Sequence, residues 1–187
     1  IGMTNYTFTE LGGFRDIEMM NFYNENIQSP DWGHNRLMQA INVKGRDNAR
    51  TPMQWSSAEN AGFSTSQPWI KLNPNFSEIN VAQALTDHNS IWYFYQKLIK
   101  LRKDLPIITY GDFDLLHPED AAVFAYVRSF EEQKLYVISN FTTQCQRFEL
   151  TEKLQNIEIL TSNYAREFVD VGILELKPFE SLAFLTA

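Results

Sequence analysis

The sequence predicts an α+β chain in which residues 1–103 form helices and loops and residues 104–187 form an antiparallel all-β sandwich. Residues 89–104 show the apolar spacing of an amphipathic helix, and no comparable helical pattern follows them. Beyond that helix come short alternating segments separated by turn residues, a pattern typical of two packed antiparallel sheets. Because 44% of the residues are hydrophobic, the chain can bury a substantial core.

Three segments of the first part carry helical signals. Residues 14–26 predict a short helix or a turn-rich stretch, and residues 35–43 predict a helix with Leu37 and Ile41 on its apolar side. In residues 89–104 the apolar side chains recur at the three-four spacing of a buried stripe. The members of this stripe are Ile91, Phe94, Tyr95, Leu98 and Leu101.

A long stretch, residues 45–74, is rich in Gly, Pro, Asn and Ser and shows no period. Loops of that length in compact proteins are usually functional or braced by side-chain contacts. We therefore expect this stretch to carry the functional residues of the first part.

The second part predicts seven short strands. The second and third are separated by four residues, 131–134, which indicates a hairpin. The predicted strands are residues 113–116, 123–130, 135–141, 146–150, 157–160, 173–176 and 181–185.

Composition excludes several classes of function. With 16 basic and 23 acidic residues, a net charge of −7 and no basic run, the chain is a poor partner for nucleic acid. No apolar stretch reaches the roughly 20 residues that a membrane span needs.

The single cysteine, Cys145, excludes an internal disulfide and a cysteine metal site. Its strand context predicts a buried thiol, and the absence of a disulfide is consistent with a cytoplasmic protein. Since the chain starts with Ile1 rather than Met, we expect it to be part of a longer protein.

The most informative string is GRDNARTPMQW, residues 45–55. Arg46 and Arg50 lie four residues apart, and a guanidinium offers five donors in a fixed fork that suits paired sugar hydroxyls or carboxylates. Trp55 could stack on a sugar ring or seal the loop against a core. From the residues alone, an ion pair between an arginine and Asp47 that braces the loop is the favoured interpretation.

This string resembles the oligo-1,6-glucosidase and dextran-glucosidase branch of the α-amylase superfamily, glycoside hydrolase family 13. The resemblance continues in order over essentially the whole chain, and the opening Ile1-Gly2-Met3-Thr4-Asn5 is similar to the segment that follows a Gly-Glu-Glu in those enzymes. It implies that residues 1–103 are the distal end of a (β/α)8 TIM barrel and that residues 104–187 are the C-terminal sandwich domain. The further matching strings are NAGF (60–63), PW (68–69), NPN (73–75), EINV (78–81), YQKLI (95–99), LRK (101–103) and LKPFE (176–180).

The resemblance also implies roles for individual residues. Arg46 matches the family's arginine that reaches the non-reducing glucose in subsite −1, and Arg50 is expected to organise the pocket wall. Glu18, in Asp16-Ile17-Glu18, matches a carboxylate that contacts the sugar in subsite +1. The neighbouring strings that contain Phe63 and Trp69 are expected to pack the loop rather than to contact sugar.

The same resemblance implies that the catalytic carboxylates lie outside this chain. Retaining glycosidases need two carboxylates about 5 Å apart, and the family's nucleophile, acid/base Glu and third Asp all precede the segment that this chain opens with. No stretch of the 187 residues matches theirs, so we assign no catalytic residue and expect the isolated chain to be inactive. The three histidines are expected to be surface residues, and no metal or cofactor is expected.

The implied substrate of the complete protein is an α-linked gluco-oligosaccharide, cut at α-1,6 linkages with retention. Trehalose-6-phosphate hydrolase is the nearest alternative, because its members carry a similar string with Ser where Ala49 stands here, while Lys44 and Gly45 favour the oligo-1,6 type. Sucrose isomerase is a third possibility. Two non-catalytic readings remain: a carbohydrate-binding or stabilising sandwich, and the membrane-anchored heavy chain of an amino-acid transporter.

A barrel cut in this way would leave the apolar stripe of residues 91–101 uncovered. We therefore expect the stripe to pack on the sandwich or on a second copy of the chain, with self-association through exposed apolar surface.

Overall fold

The structure, a computed structural model, describes residues 1–150, 154–166 and 172–186. The chain divides into two compact units, Ile1–Gln96 and Lys97–Ala187, and the division falls inside a helix. The predicted domain boundary after residue 103 stays a prediction. In the described part of the chain, no helix combines the length and the apolar character needed to cross a membrane.

The first unit is built from short helices joined by loops. Its core is formed by Phe8, Phe14, Met38, Ile41 and Ile70. Helices are present in all three predicted segments. Residues 14–26, for which the sequence allowed either a helix or a turn-rich stretch, contain a helix. The helices are α1 (Ile17–Asn26), α2 (His34–Lys44), α3 (Val81–Ala84) and the start of α4 (Ile91–Asp104), and short 3₁₀ turns cover Leu11–Gly13, Arg46–Ala49, Glu59–Gly62 and Pro74–Ser77.

Asparagine side chains hold the extended N-terminal segment in place. The Asn42 amide accepts a hydrogen bond from the Phe8 N–H at 2.7 Å and donates one to the Phe8 carbonyl at 2.9 Å. Asn48 Oδ1 accepts from the Tyr6 N–H at 3.0 Å, and Asn73 Nδ2 donates to the Thr4 carbonyl at 3.0 Å. These amides satisfy backbone groups that a neighbouring strand would otherwise pair.

The long loop is braced, as its length predicted. The Ala61 carbonyl accepts hydrogen bonds from the Trp55 N–H at 2.9 Å and the Ser56 N–H at 3.0 Å, which closes a tight turn. The Gln54 side chain is fully buried, and its amide nitrogen donates to the Asn75 side chain at 3.1 Å.

The second unit contains the end of α4, helix α5 (Pro106–Tyr110) and two antiparallel sheets. The larger sheet has the strand order β1-β2-β3-β7-β5, and the smaller one pairs β4 with β6. The predicted hairpin is confirmed, since β2 and β3 pair from Val123↔Asn140 to Phe130↔Gln133. The strands are β1 (Asp112–Leu116), β2 (Val123–Phe130), β3 (Gln133–Asn140), β4 (Gln146–Glu149), β5 (Glu158–Ser162), β6 (Ile173–Leu176) and β7 (Ser181–Thr186).

Alternation along the strands gives the larger sheet two apolar faces. On one face, Tyr136 and Ile138 of β3 join Phe148 of β4 and Leu174 of β6 in a common core, so this face packs against the smaller sheet. On the other face, Leu135 belongs to a second cluster, which is formed with Ile107, Leu160 and Leu185. The two-sheet packing confirms the predicted antiparallel sandwich.

A buried carboxylate fixes the last turn of the sandwich. Burial alone raises the pKa of Glu180, but hydrogen bonds from the Arg166 Nε and the Lys177 N–H, each 2.8 Å long, hold that pKa below its usual range. Glu180 therefore stays ionised inside the domain and is paired there.

The expectation for Cys145 is corrected, and the expectation for the apolar stripe of α4 is met within the described part of this chain only by Leu101. Cys145 lies immediately before β4 rather than within a strand, and its thiol is exposed. In the stripe of α4, Leu101 packs against the second cluster of the sandwich, whereas Tyr95 is 62% exposed and Ile91, Phe94 and Leu98 are exposed as well. The predicted cover by a second copy of the chain stays a prediction.

Candidate substrate-binding site

Asp16 organises the start of α1. It is the N-cap residue of that helix, and its Oδ1 accepts a hydrogen bond from the Glu18 N–H at 3.2 Å, as aspartate commonly does at this position. The Asp16 side chain is fully buried, whereas the Glu18 side chain is 69% exposed. The cap thus fixes the helix turn from which Glu18 points into solvent.

Arg46 binds this buried carboxylate through one edge of its guanidinium. Its Nε donates to Asp16 Oδ2 at 3.1 Å and its Nη2 donates to Asp16 Oδ1 at 2.8 Å. The Arg46 backbone N–H adds a third hydrogen bond, to Asp16 Oδ2, at 3.0 Å. This fork-to-carboxylate pairing is the geometry that an arginine supports and a lysine does not.

The Asp16–Arg46 pair is ionised at neutral pH. The side-chain hydrogen bond from Arg46 lowers the pKa of Asp16 far below its usual range, although burial opposes the shift. The same hydrogen bond raises the pKa of Arg46 above its ordinary value. The site therefore presents a charged guanidinium whose orientation is set by an ionised carboxylate at neutral pH.

Arg46 is held on one side and open on the other. Its side chain is 58% exposed, and its Nη2 lies 3.3 Å from Glu18 Oε2. In the described part of the chain no group accepts a hydrogen bond from its Nη1. The structure thus brings Arg46 and Glu18 together, with a free donor beside a solvent-exposed acceptor.

Asp47 is a second buried carboxylate, and it joins the loop to α1. Its Oδ2 accepts hydrogen bonds from the backbone N–H of Arg15 at 2.6 Å and of Asp16 at 2.9 Å. Its Oδ1 pairs with Arg50 Nη1 at 3.4 Å. The loop-bracing ion pair considered from the sequence is therefore present, and it belongs to Arg50 and Asp47.

Sequence reasoning missed Asp16, the acid on which Arg46 depends, and it considered Asp47 only as the partner of a loop-bracing ion pair. The available signal for Asp16 was its position directly before a helical segment, with an acidic residue two places later. The role of Asp47 in joining the loop to α1 had no comparable signal, because these partners are backbone N–H groups more than 30 residues away along the chain.

The aromatic side chains of the loop correct another expectation. Trp69 is 58% exposed, Trp55 48% and Phe63 46%, so none of them packs the loop interior. Pro68, in contrast, is half-buried.

The described residues contain no group of three or more His, Cys, Asp or Glu side chains placed to hold a metal ion. His34 lies on the surface, where its Nδ1 is 2.7 Å from the Tyr23 hydroxyl.

Comparison with known families identifies this arrangement of loop and helices. The family profile described as alpha amylase, catalytic domain, matches residues 1–111, which is more than half of the chain. The chain belongs to the α-amylase family. The profile described as alpha-amylase SusG C-terminal domain matches residues 123–182, within the β-sandwich. The family and fold implied by the GRDNARTPMQW string are thereby confirmed: the chain is the end of an α-amylase catalytic domain followed by its C-terminal sheet domain.

Individual α-amylase relatives match almost the whole chain. Oligo-1,6-glucosidase from Bacillus cereus is 45% identical over 186 residues, which are 98% of this chain and 33% of that protein. Trehalose-6-phosphate hydrolase from Escherichia coli is 38% identical over 99% of this chain and 33% of its own length. The crystal structure of trehalose-6-phosphate hydrolase from Bacillus licheniformis matches with a TM-score of 0.88 and 36% identity over 100% of this chain and 34% of that one. The chain thus spans about a third of the length of these relatives.

Proposed function

We propose that the complete protein containing this chain is a retaining α-glucosidase that cuts α-1,6 linkages of short gluco-oligosaccharides. In this proposal the chain binds the substrate, and carboxylates from outside its 187 residues cut the bond, so that the isolated chain is inactive. Support comes from the match to oligo-1,6-glucosidases over 98% of the chain. The observation that carries the proposal is the half-exposed guanidinium of Arg46, clamped by buried Asp16 next to Glu18.

The chemistry of this pair suits a terminal glucose. A guanidinium donates hydrogen bonds and a carboxylate accepts them, so Arg46 and Glu18 together can satisfy neighbouring hydroxyls of a sugar, each of which both donates and accepts. Asp16 fixes the guanidinium before substrate arrives, which lowers the entropy lost on binding. Arg50, held by Asp47, shapes the adjacent wall.

Mutation of Arg46 in the complete protein tests this role. We expect Arg46→Ala to lower kcat/KM for isomaltose about 100-fold, a loss typical of removing one preorganised donor. Arg46→Lys should recover little, because an ammonium keeps the charge and loses the fork. Arg36→Ala, on an exposed arginine of α2, is the matched control and should leave kcat/KM unchanged. Hydrolysis undisturbed by Arg46→Ala would contradict the assignment.

Trehalose-6-phosphate hydrolysis is the second candidate, supported by the 38% identity to such an enzyme over 99% of the chain. A panel of isomaltose, panose and trehalose 6-phosphate assayed on the complete protein separates the two activities. A non-catalytic carbohydrate-binding role is the third candidate, and it predicts turnover of none of the three sugars. We also propose a cytoplasmic location, which the single unpaired cysteine supports.

A further inference from the structure

A cavity of about 400 Å³ lies in the first unit, beside the segment that carries Asp16. Its wall combines an indole, two cations and two amides, and its described lining residues include no Asp or Glu. These polar and aromatic lining residues are Arg15, Asn60, Gln67, Trp69 and Lys71. A volume of this order accommodates a small ligand.

The two cations of the cavity have no acidic partner among the residues that the structure describes. Arg15 Nη1 donates to the carbonyls of Gly12 at 2.8 Å and Phe14 at 3.0 Å, which fixes the guanidinium at the wall. Among the described residues, neither Arg15 nor Lys71 forms an ion pair with a carboxylate. In a chain of net charge −7, two such cations at a wall without acids create a local positive potential, and this favours an anionic ligand.

The remaining lining residues suit a sugar ring. Trp69 exposes 58% of its surface, so a face of its indole is open to an apolar partner such as the C–H face of a hexose. Asn60 Nδ2 donates to the Ser64 carbonyl at 3.2 Å, which leaves its Oδ1 as an acceptor, and Gln67 is exposed. Amide groups of this kind orient a ligand by hydrogen bonds to hydroxyls.

Backbone strain holds one wall of the cavity in shape. Asn60 and Ala61 both adopt left-handed conformations, with φ of 51° and 57°. A non-glycine residue in this region costs on the order of 1 kcal/mol or more, and such residues persist where the surroundings over-determine them, often at binding sites. Here the Ala61 carbonyl is fixed by the Trp55 and Ser56 N–H groups.

We propose that this cavity binds a phosphorylated sugar, with the ring on Trp69 and the phosphate on Arg15 and Lys71. A phosphate monoester carries close to two negative charges at neutral pH, which two unpaired cations match. The proposal does not rest on the proposed hydrolysis, because it concerns ligand binding in this cavity and is tested by measuring binding affinity.

Calorimetric titration of the complete protein with glucose 6-phosphate, glucose and inorganic phosphate tests the site. Glucose 6-phosphate should bind at least about tenfold more tightly than either fragment, since only it engages both the indole and the cations. Lys71→Gln and Arg15→Gln should each bring its affinity towards that of glucose. Trp69→Ala should bring it towards that of phosphate, and Trp69→Phe should retain most of it. Lys103→Gln removes a matched exposed lysine of the second unit and should change nothing.

Each other outcome overturns the proposal in a defined way. Equal affinity for glucose and glucose 6-phosphate would make the cavity a neutral-sugar site. Equal affinity for inorganic phosphate and glucose 6-phosphate would make it a simple anion site. Absence of binding, or binding that Lys71→Gln and Trp69→Ala leave intact, would show that the cavity holds no sugar phosphate.

Discussion

Asp16 is the residue on which the arginine site depends. Its buried carboxylate caps α1 and receives three hydrogen bonds from Arg46, so one side chain fixes both the helix start and the guanidinium. A partner that is buried and charged orients an exposed arginine more firmly than a surface acid does, because it has no competing water. The family resemblance led to Arg46 and Glu18 but not to Asp16, which accepts hydrogen bonds from both residues. Nothing in the sequence indicates that Asp16 is buried.

Two substitutions separate the roles of Asp16. Asp16→Ala removes the cap, which costs about 1 kcal/mol, and it also removes the acceptor of Arg46. Asp16→Asn keeps a good cap and loses the charge, so its loss of unfolding free energy in urea should be smaller. Equal stability of the two variants and the unsubstituted protein would contradict the structural role.

Acid titration of stability gives an independent readout of the same carboxylate. The pKa of Asp16 is lowered by folding, from an ordinary value of 3.8, so its contribution is complete above that pH. The contribution is then lost as the pH falls through the lowered folded-state pKa. We expect the unsubstituted protein to lose unfolding free energy below about pH 4 more steeply than Asp16→Asn. Parallel curves for the two proteins would show that the carboxylate is not selectively stabilised in the folded state.

Gly45 links α2 to the arginine motif by a close approach. A Cβ at this position would lie 2.6 Å from the Ile41 carbonyl oxygen, and only a backbone shift could relieve that contact. We expect Gly45→Ala to cost about 1–3 kcal/mol of unfolding free energy and to displace Arg46. Gly12→Ala is the matched control, because nothing lies within 4 Å of its added methyl group. A Gly45→Ala protein as stable as the control would show that the loop relaxes freely.

At the scale of elements, the sandwich was predictable and the loop conformation was not. Strand alternation has a period of two and reports which face is buried, so β2 and β6 were predicted at their observed limits. In the loop, order comes from individual side chains, such as Asn42 on the N-terminal segment and Ala61 in a left-handed turn. Those contacts join residues far apart in the chain and leave no periodic signal.

Helix α4 carries apolar surface that no described part of this chain covers. Tyr95 is 62% exposed on that face. We expect the isolated chain to self-associate through it, since contiguous exposed apolar patches mark association sites. Sedimentation velocity should show a larger monomer fraction for Tyr95→Glu than for Lys97→Glu, which places the same acid at an already polar position of the helix. A monomeric isolated chain, or equal effects of both substitutions, would rule out this face as the contact.

At the scale of the whole molecule, the chain accounts for about a third of its α-amylase relatives. In the proposed function, this chain binds the substrate and carboxylates from outside its 187 residues cut the bond. The most direct measurement is a crystal structure of the complete protein with isomaltose bound and its nucleophilic carboxylate replaced by the amide. We predict that the Arg46 guanidinium lies within about 3.2 Å of a hydroxyl of the terminal glucose. Its two side-chain hydrogen bonds to Asp16 should be retained in that complex. A glucose bound away from Arg46 and Glu18 would contradict the account.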